Sequence, residues 1–462
     1  MSAAFERRLD RQLSASAEKM LAAFSRTDLV KERVGFNRFM RPAKGSVLAS
    51  PVMAAYDPDP DYFFHWLRDS AVVVDALRLL TELGAVPRET GVAHFSDFLG
   101  FSLSLCAQDG AAFLERAGHY REKVEPHFLQ FLRPEAEIRA VVGDDALGEP
   151  RFDPDGALDM LKWSRPQHDG PALRVLCVLR FCAAFPPEGE AGRLADALLR
   201  RDLAFTFERF RRPSFDIWEE ELGRHYYTQL LQAEALGRGA AFLRSCGDHA
   251  AAAPLVEAAE SLEAGLDAFW SEDDGFMRSR LDPDAAGRDK LLDIAVVLAA
   301  IHAGRPSGPH GVGDARLIAT LRRLEALFSE RYALNRAGPG ALAPAMGRYR
   351  DDRYYSGGAY FFSTFGASEF YFRAAAESRF ADAGPWRRAG LAFPEGGLAA
   401  ALLARGDAFL ETALACAAPD GDLSEQFDQT NGAQTSAKSL AWSHAAFVSA
   451  CAARRAACDA PR

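Results

Sequence analysis

DSAVVVDALRLLTELG, residues 69–84, sets Val73, Val74, Leu77, Leu80 and Leu83 among charged and polar neighbours, the three-and-four spacing of a helix that buries one face. The same spacing returns in DGPALRVLCVLRFCAAF (169–185), AGRLADALLRRDLAFTFERF (191–210), HAAAAPLVEAAESLEAGLDAFW (249–270), DKLLDIAVVLAAIHAG (289–304), DARLIATLRRLEALFSERY (314–332) and GLAAALLARGDAFLETALACAA (397–418). It also marks the amino-terminal segment, a stretch near Val92 to Gln108, the segments after Trp218 and after Gly358, and the closing AQTSAKSLAWSHAAFVSACAARRAA (433–457). Runs of strict alternation are short and rare, so the chain reads as all-α with about twelve helices. Some connections are brief. Others are long and rich in Gly, Pro, Asp and aromatic residues, the longest from about Asp109 to Asp169, with apolar patches that should make it pack. Paired helices with short and long links in turn point to a toroid of helix pairs with its long loops at one mouth. A superhelical repeat protein would need a recurrent consensus that the segments lack. One domain over residues 1–462 is expected.

The chain has 462 residues, 48% hydrophobic and 26% charged, enough to bury a large core. Its formal net charge of -10 offers no broad attraction to nucleic acid or to anionic lipid. No stretch approaches the roughly 20 apolar residues of a membrane span. The amino terminus carries charge throughout and lacks the apolar core of a signal peptide, so the cytoplasm is the expected location. Seven cysteines, an odd number in mostly apolar helical contexts, read as reduced core residues. The ten histidines are scattered, with His302 and His310 read as surface residues, so neither a metal nor another cofactor is expected.

Five junctions between loop and helix crowd charge against aromatic bulk. In DPDPDYFFHWLRDSAVV (57–73), Asp57, Asp59 and Asp61 begin like a calcium loop, but Tyr62 stands at the turn-glycine position and Arg68 at the bidentate glutamate position, which rules the ion out. Asp69 has the place of a helix cap, whereas Arg68, flanked by Trp66 and Leu67, needs a specific partner. KWSRPQHDGPALR (162–174) offers Trp163, with Asp169 as a cap for the next helix. SFDIWEEELGRHYY (214–227) puts Glu219, Glu220 and Glu221 directly behind Ile217 and Trp218. GRYRDDRYYSGGAYFF (347–362) gathers Arg348, Asp352, Tyr354 and Tyr360, and DGDLSEQFDQTNGAQTSAKSLAWS (420–443) holds Glu425 and Gln426 ahead of Trp442. Aromatic faces pack on the C–H surface of a sugar while charged groups pair with its hydroxyls. Glycoside hydrolysis usually needs two carboxyl groups, and Glu219 and Glu425, each read as opening a helix, are the best candidates.

Read in order, YFFHWLRDS, WSRPQHDGPALR, DIWEE, GRYRDDRYYSGG and LSEQFDQTNGAQTSAKSLAWS resemble the motif series of glycoside hydrolase family 15, the glucoamylase family, from about Val47 to the last helix. The resemblance implies an (α/α)6 barrel that removes glucose from non-reducing ends with inversion, acting on small soluble oligosaccharides. It implies that Glu219 is the general acid and Glu425 the general base. Arg68, Asp69 and Arg348 would hold sugar hydroxyls, with Asp352 in support, and Glu220 would bind the next sugar. Trp163 would close over the scissile region, Tyr62 and Gln426 would support water and base, and Trp442 would form a pocket wall. Trp66, Ile217 and Tyr354 belong to the same pocket. Tyr360, preceded by Ala359, stands where better-known fungal members have tryptophan preceded by proline, so the linkage, α-1,4 or α-1,6, is left open. The rival readings are an isomaltose or dextran glucohydrolase, a trehalose-cleaving relative, and a catalytically silent regulatory module like those of phosphorylase kinase.

On this reading Trp218 and Ile217 desolvate Glu219 and keep it protonated. Burial can raise a carboxyl pKa by about 3 to 5, and Glu220 pushes the same way, against about 0.3 to 1 kcal/mol from a helix N-terminus. Inversion would place the two carboxyl groups roughly 6.5 to 9.5 Å apart, with room for one water.

Overall fold

The helix read from residues 69–84 runs over Leu67–Glu82 and buries Leu67, Ala71, Val74, Leu77 and Leu80. The computed structural model describes residues 3–281, 290–305, 308–337, 342–378 and 382–460. Among these, twelve helices are nine residues or longer: Ala3–Leu21, Leu67–Glu82, Arg88–Leu105, Asp169–Ala184, Gly189–Arg209, Tyr226–Ser245, His249–Leu266, Ala295–Ala303, Ala315–Arg331, Phe361–Glu377, Leu398–Ala415 and Ala441–Asp459. The segment read as helical from Asp289 begins outside the described residues, and its helix starts at Ala295, whose amide donates to Asp293 Oδ1 at 2.7 Å. Strands are only two or three residues long.

The chain divides into two compact units, one of Met20–Leu222 with Gln232–Glu260 and the other of Met1–Lys19, Gly223–Leu231 and Ser261–Arg462. In the first, Leu67–Glu82 packs on Asp169–Ala184, and Gly189–Arg209 packs on both Asp169–Ala184 and Arg88–Leu105. Phe95 and Phe181 stack at 3.8 Å. Arg174 grips Asp202 through bonds of 2.8 and 2.7 Å, and this bidentate geometry offsets the desolvation of a fully buried pair. The stretch from Asp109 to Asp169 packs as expected, with Phe113, Leu114, Leu132, Ile138, Phe152 and Leu158 joining Phe101 and Leu105 in one core. It is not irregular throughout. Asp109 accepts the amides of Ala111 and Ala112 and so caps a helix, Gly110–Ala117, and a further turn of helix spans Glu135–Arg139.

In the second unit, Phe361–Glu377 is apolar on nearly every side and takes the central place, packing on Leu398–Ala415, Ala441–Asp459 and Ala295–Ala303. Gly406 permits the first of these contacts, since a Cβ there would lie 2.5 Å from the Phe372 ring.

Two expectations are corrected. His310 is buried, not a surface residue; its ring meets the Tyr226 hydroxyl at 3.1 Å, and burial, helped by the Arg316 charge, pushes its pKa down to about 4. His302 lies half-buried on helix Ala295–Ala303 with Nδ1 at 2.8 Å from the Tyr227 hydroxyl. All seven cysteines are free thiols, but Cys246 and Cys458 are exposed and so are not core residues.

Candidate active site

In the unit Met20–Leu222 with Gln232–Glu260, three segments far apart in sequence converge on one carboxyl group. Strand His65–Trp66 pairs antiparallel with Arg151–Phe152, and the Leu67 amide donates to Pro150 O at 3.0 Å, which fixes where the next helix begins. Trp66 Nε1 donates to Glu219 Oε1 at 2.9 Å and Arg68 Nη2 to the same oxygen at 3.1 Å. Trp163 Nε1 donates to Glu219 Oε2, and the Ser164 hydroxyl to the Glu219 carbonyl. Trp163 is 39% exposed on one side, while the Arg151 guanidinium lies 3.5 Å from its ring. Tyr62 packs against Trp66 with ring centres 5.2 Å apart.

Arg68 is the hub of this cluster. Besides Glu219 it donates to Gln167 Oε1 at 3.0 Å and Asp169 Oδ2 at 3.2 Å, and its Nε stands 3.6 Å from Asp69 Oδ2. The capping expected of Asp169 does not occur: it is the first residue of its helix, and its carboxylate is drawn inward to the guanidinium. Asp69 likewise is no helix cap; it follows Arg68 inside the first turn of Leu67–Glu82. Burial pushes its pKa up to about 6; the Arg68 charge opposes this, and the neighbouring Glu219 and Asp169 add to it.

Glu219 does not open a helix. It sits in a turn after strand Ser214–Phe215, seven residues before helix Tyr226–Ser245 begins. Asp216 builds that turn: its Oδ1 accepts the amides of Glu220 at 2.7 Å and Glu221 at 3.0 Å, its carbonyl accepts the Glu219 amide at 3.0 Å, and its own amide donates to Glu221 O at 3.0 Å. The result is a left-handed backbone at Glu219, φ 66°. Ile217 is buried beneath the turn, Trp218 is half-buried and Glu220 is exposed. Glu221 closes the same turn, its amide and carbonyl both bonded to Asp216. The donors around Glu219 also differ from the greasy cleft read from Trp218 and Ile217, because two indole N–H groups and a guanidinium line its carboxyl.

In the unit Met1–Lys19, Gly223–Leu231 and Ser261–Arg462, strands Ala359–Tyr360, Gln426–Phe427 and Gln434–Thr435 form a three-stranded antiparallel sheet with Gln426–Phe427 in the middle. Glu425 precedes the middle strand; the expected helix opening is again absent, since helix Ala441–Asp459 starts sixteen residues later. Its amide donates to Ala437 O at 2.7 Å, its carbonyl accepts from Phe361 N at 3.2 Å, and the Ser436 hydroxyl donates to its carboxyl. Arg348 grips Asp352 through two bonds of 2.6 Å and lies within about 5.4 Å of the rings of Tyr349, Tyr354 and Tyr360. Trp442 stacks on Phe362 at 4.4 Å.

Tyr360 and Gln426 lie side by side beneath the surface. Tyr360 is fully buried, its hydroxyl donating to Asp352 Oδ2 at 3.2 Å and accepting from Gln426 Nε2 at 2.7 Å. Gln426 is also fully buried and donates to Tyr354 O at 3.1 Å, while its Oε1 accepts from Ser356 at 2.9 Å. Both hold the sheet together, because an alternating strand turns these side chains inward. Sequence reasoning missed Gln167, Ser164, Asp216 and Ser436. Only Asp216 carried a signal, an aspartate placed to accept amides of the turn that follows it.

One unit thus sets a glutamate against two indoles and a buried arginine, and the other holds a second glutamate at the head of the strand that pairs with Tyr360, features that suit a carbohydrate-active hydrolase. The sequence profile of Glycosyl hydrolases family 15 matches residues 26–387 and 396–452. The chain is 27% identical to a glucoamylase of Blastobotrys adeninivorans, over 93% of this chain and 70% of that protein, and 25% identical to glucoamylase 1 of Rhizopus oryzae, over 93% and 71%. The solved glucoamylase of Saccharomycopsis fibuligera superimposes with a TM-score of 0.78 at 24% identity, covering 99% of this chain and 96% of that one. That of Hormoconis resinae gives 0.77 at 23%, covering 97% and 73%. The chain belongs to glycosyl hydrolase family 15 and is a glycoside hydrolase. Its fold is the (α/α)6 barrel of these glucoamylases.

Proposed function

We propose that this enzyme, an exo-acting α-glucosidase, works with inversion, releasing β-glucose from the non-reducing ends of soluble α-gluco-oligosaccharides. Glu219 is the general acid that protonates the glycosidic oxygen, and Glu425 is the general base that takes a proton from the attacking water. The anomeric carbon–oxygen bond breaks, the leaving sugar departs as an alcohol, and the new hydroxyl arrives on the opposite face. The observation that carries this reading is the family match over residues 26–387 and 396–452, and the donors of Trp66, Trp163 and Arg68 hold the Glu219 carboxyl in place. Arg68, Asp69 and Arg348 hold hydroxyls of the terminal glucose, Glu220 meets the next sugar, and Trp163 closes over the bond. Tyr360, Gln426 and Trp442 act from beneath, by fixing the shape of the pocket.

A single domain is proposed for the whole chain on the strength of the near-complete overlap with the Saccharomycopsis enzyme. Seven free thiols suit a reducing compartment, and the cytoplasm is proposed on that ground. The linkage is proposed as α-1,4, α-1,6 or both, with isomaltose, dextran and trehalose as the rival substrates.

A proton NMR time course on maltose and isomaltose tests the reading, with β-glucose expected first and α-glucose first excluding inversion. Glu219→Gln should lower turnover by about two to four orders of magnitude with the fold retained. Near-normal turnover would remove Glu219 from the role of acid.

A further inference from the structure

Helix Ala3–Leu21 lies ahead of the matched family region, and the reaction as read gives it no task. Its residues Gln12, Ser16 and Lys19 stand four and three positions apart and share one face. Gln12 and Lys19 reach the segment that leads up to Glu425 directly, and Ser16 reaches it through His444. Gln12 Nε2 donates to Gly421 O at 2.8 Å and to Ser16 Oγ at 3.1 Å. Ser16 Oγ meets His444 Nδ1 at 3.0 Å. The other ring nitrogen of His444 lies 3.4 Å from both the Leu423 amide and Asp422 Oδ1. Lys19 pairs with Asp420 at 2.9 Å and reaches Asp422 at 4.0 Å. Gly421, at φ 80°, lets the helix come this close, since a Cβ there would stand 2.5 Å from that of Ala15.

Ser16, His444 and Asp422 have the residue types of a nucleophilic triad, but Ser16 and His444 are wholly buried, so no substrate meets the hydroxyl. Their effect falls on the backbone instead. Asp422 also accepts from Ser439 at 2.6 Å, Leu423 O accepts the Leu440 amide at 2.9 Å, and Ser424 O accepts from Ser443 at 2.8 Å. The residue after these three anchored positions is Glu425. Burial alone would raise Asp422, but the bonds from His444 and Ser439 and the Lys19 charge outweigh it and bring its pKa to about 2, so the anchor is an anion at any working pH.

We propose that the buried relay from Gln12 through Ser16 and His444 to Asp422 is a positioning device that fixes segment 420–424 and so aims the carboxyl of Glu425. This rests on Glu425 being the base. Gln12, Ser16, His444 and Asp422 are positioning residues, since none touches the sugar.

The test is steady-state kinetics on maltose with Gln12→Leu combined with Ser16→Ala, at a temperature where circular dichroism shows the variant folded. A misaimed base lowers kcat by about ten- to a hundredfold with KM unchanged, because sub-ångström misplacement acts on the chemical step and not on sugar binding. Ser16→Thr, which keeps the hydroxyl, restores kcat. Should the double variant fail to fold, Lys19→Ala, a partly exposed position, carries the same test with a smaller fall in kcat. A folded variant with full kcat, or one in which KM rises while kcat holds, overturns the proposal. Glu425→Gln run alongside separates the two claims: normal turnover there overturns the base assignment itself, whereas a dead Glu425→Gln beside a fully active relay variant overturns the relay alone.

Discussion

Asp69 is a carboxyl whose charge folding opposes. Its pKa near 6, against about 3.9 unfolded, means that the folded state binds this proton more tightly than the unfolded chain does. Its contribution to stability is therefore complete below about pH 4 and is lost as pH rises through 6. Asp69→Asn removes the titration, so its stability relative to the parent should improve by on the order of 2 kcal/mol between pH 4.5 and pH 7.5. Urea melts at the two pH values measure this, and a difference that does not change with pH would show that Asp69 ionises as freely as in the unfolded chain. Individual residues were legible where bulk and charge were adjacent, as at Trp66, Arg68 and Trp163. Gln167 and Ser436 were not, because a polar residue that serves a distant partner looks like any other polar residue until the chain has folded.

At the scale of elements, the long helices could be read because their burial period of 3.6 is written in the sequence, from Leu67–Glu82 to Ala441–Asp459. The two short sheets near the glutamates could not. Apolar residues followed by acids read as a helix start, yet Asp216 satisfies the amides of Glu220 and Glu221 and closes a turn before any helix forms. Two-residue strands are below the length at which alternation can be seen. Gly358 shows how tightly these strands sit, since a Cβ there would lie 2.3 Å from the Phe427 carbonyl oxygen. Gly358→Ala should destabilise the protein by about 1 to 3 kcal/mol through this overlap. A calorimetric melt reads the effect, and an unchanged transition would mean that the sheet yields freely at this point.

At the scale of the whole molecule, helix count and family motifs gave the (α/α)6 barrel, while the left-handed turn beneath the acid had no trace in composition or periodicity. Domains of this kind hold only about 5 to 15 kcal/mol of net stability, so one strained residue is a measurable fraction. At φ 66°, an L-residue at 219 is strained by about 1 to 2 kcal/mol, whereas glycine is not. After about 0.4 to 1 kcal/mol for the greater freedom of unfolded glycine, Glu219→Gly should still exceed Glu219→Ala in stability by roughly 0.5 to 1 kcal/mol. Guanidinium denaturation of the two inactive variants decides it, with equal midpoints counting against the strain. Glycine at 219 would relax the backbone but take from Arg68, Trp66 and Trp163 the carboxyl on which they converge, so the strained turn persists because it is what brings the proton donor to its partners.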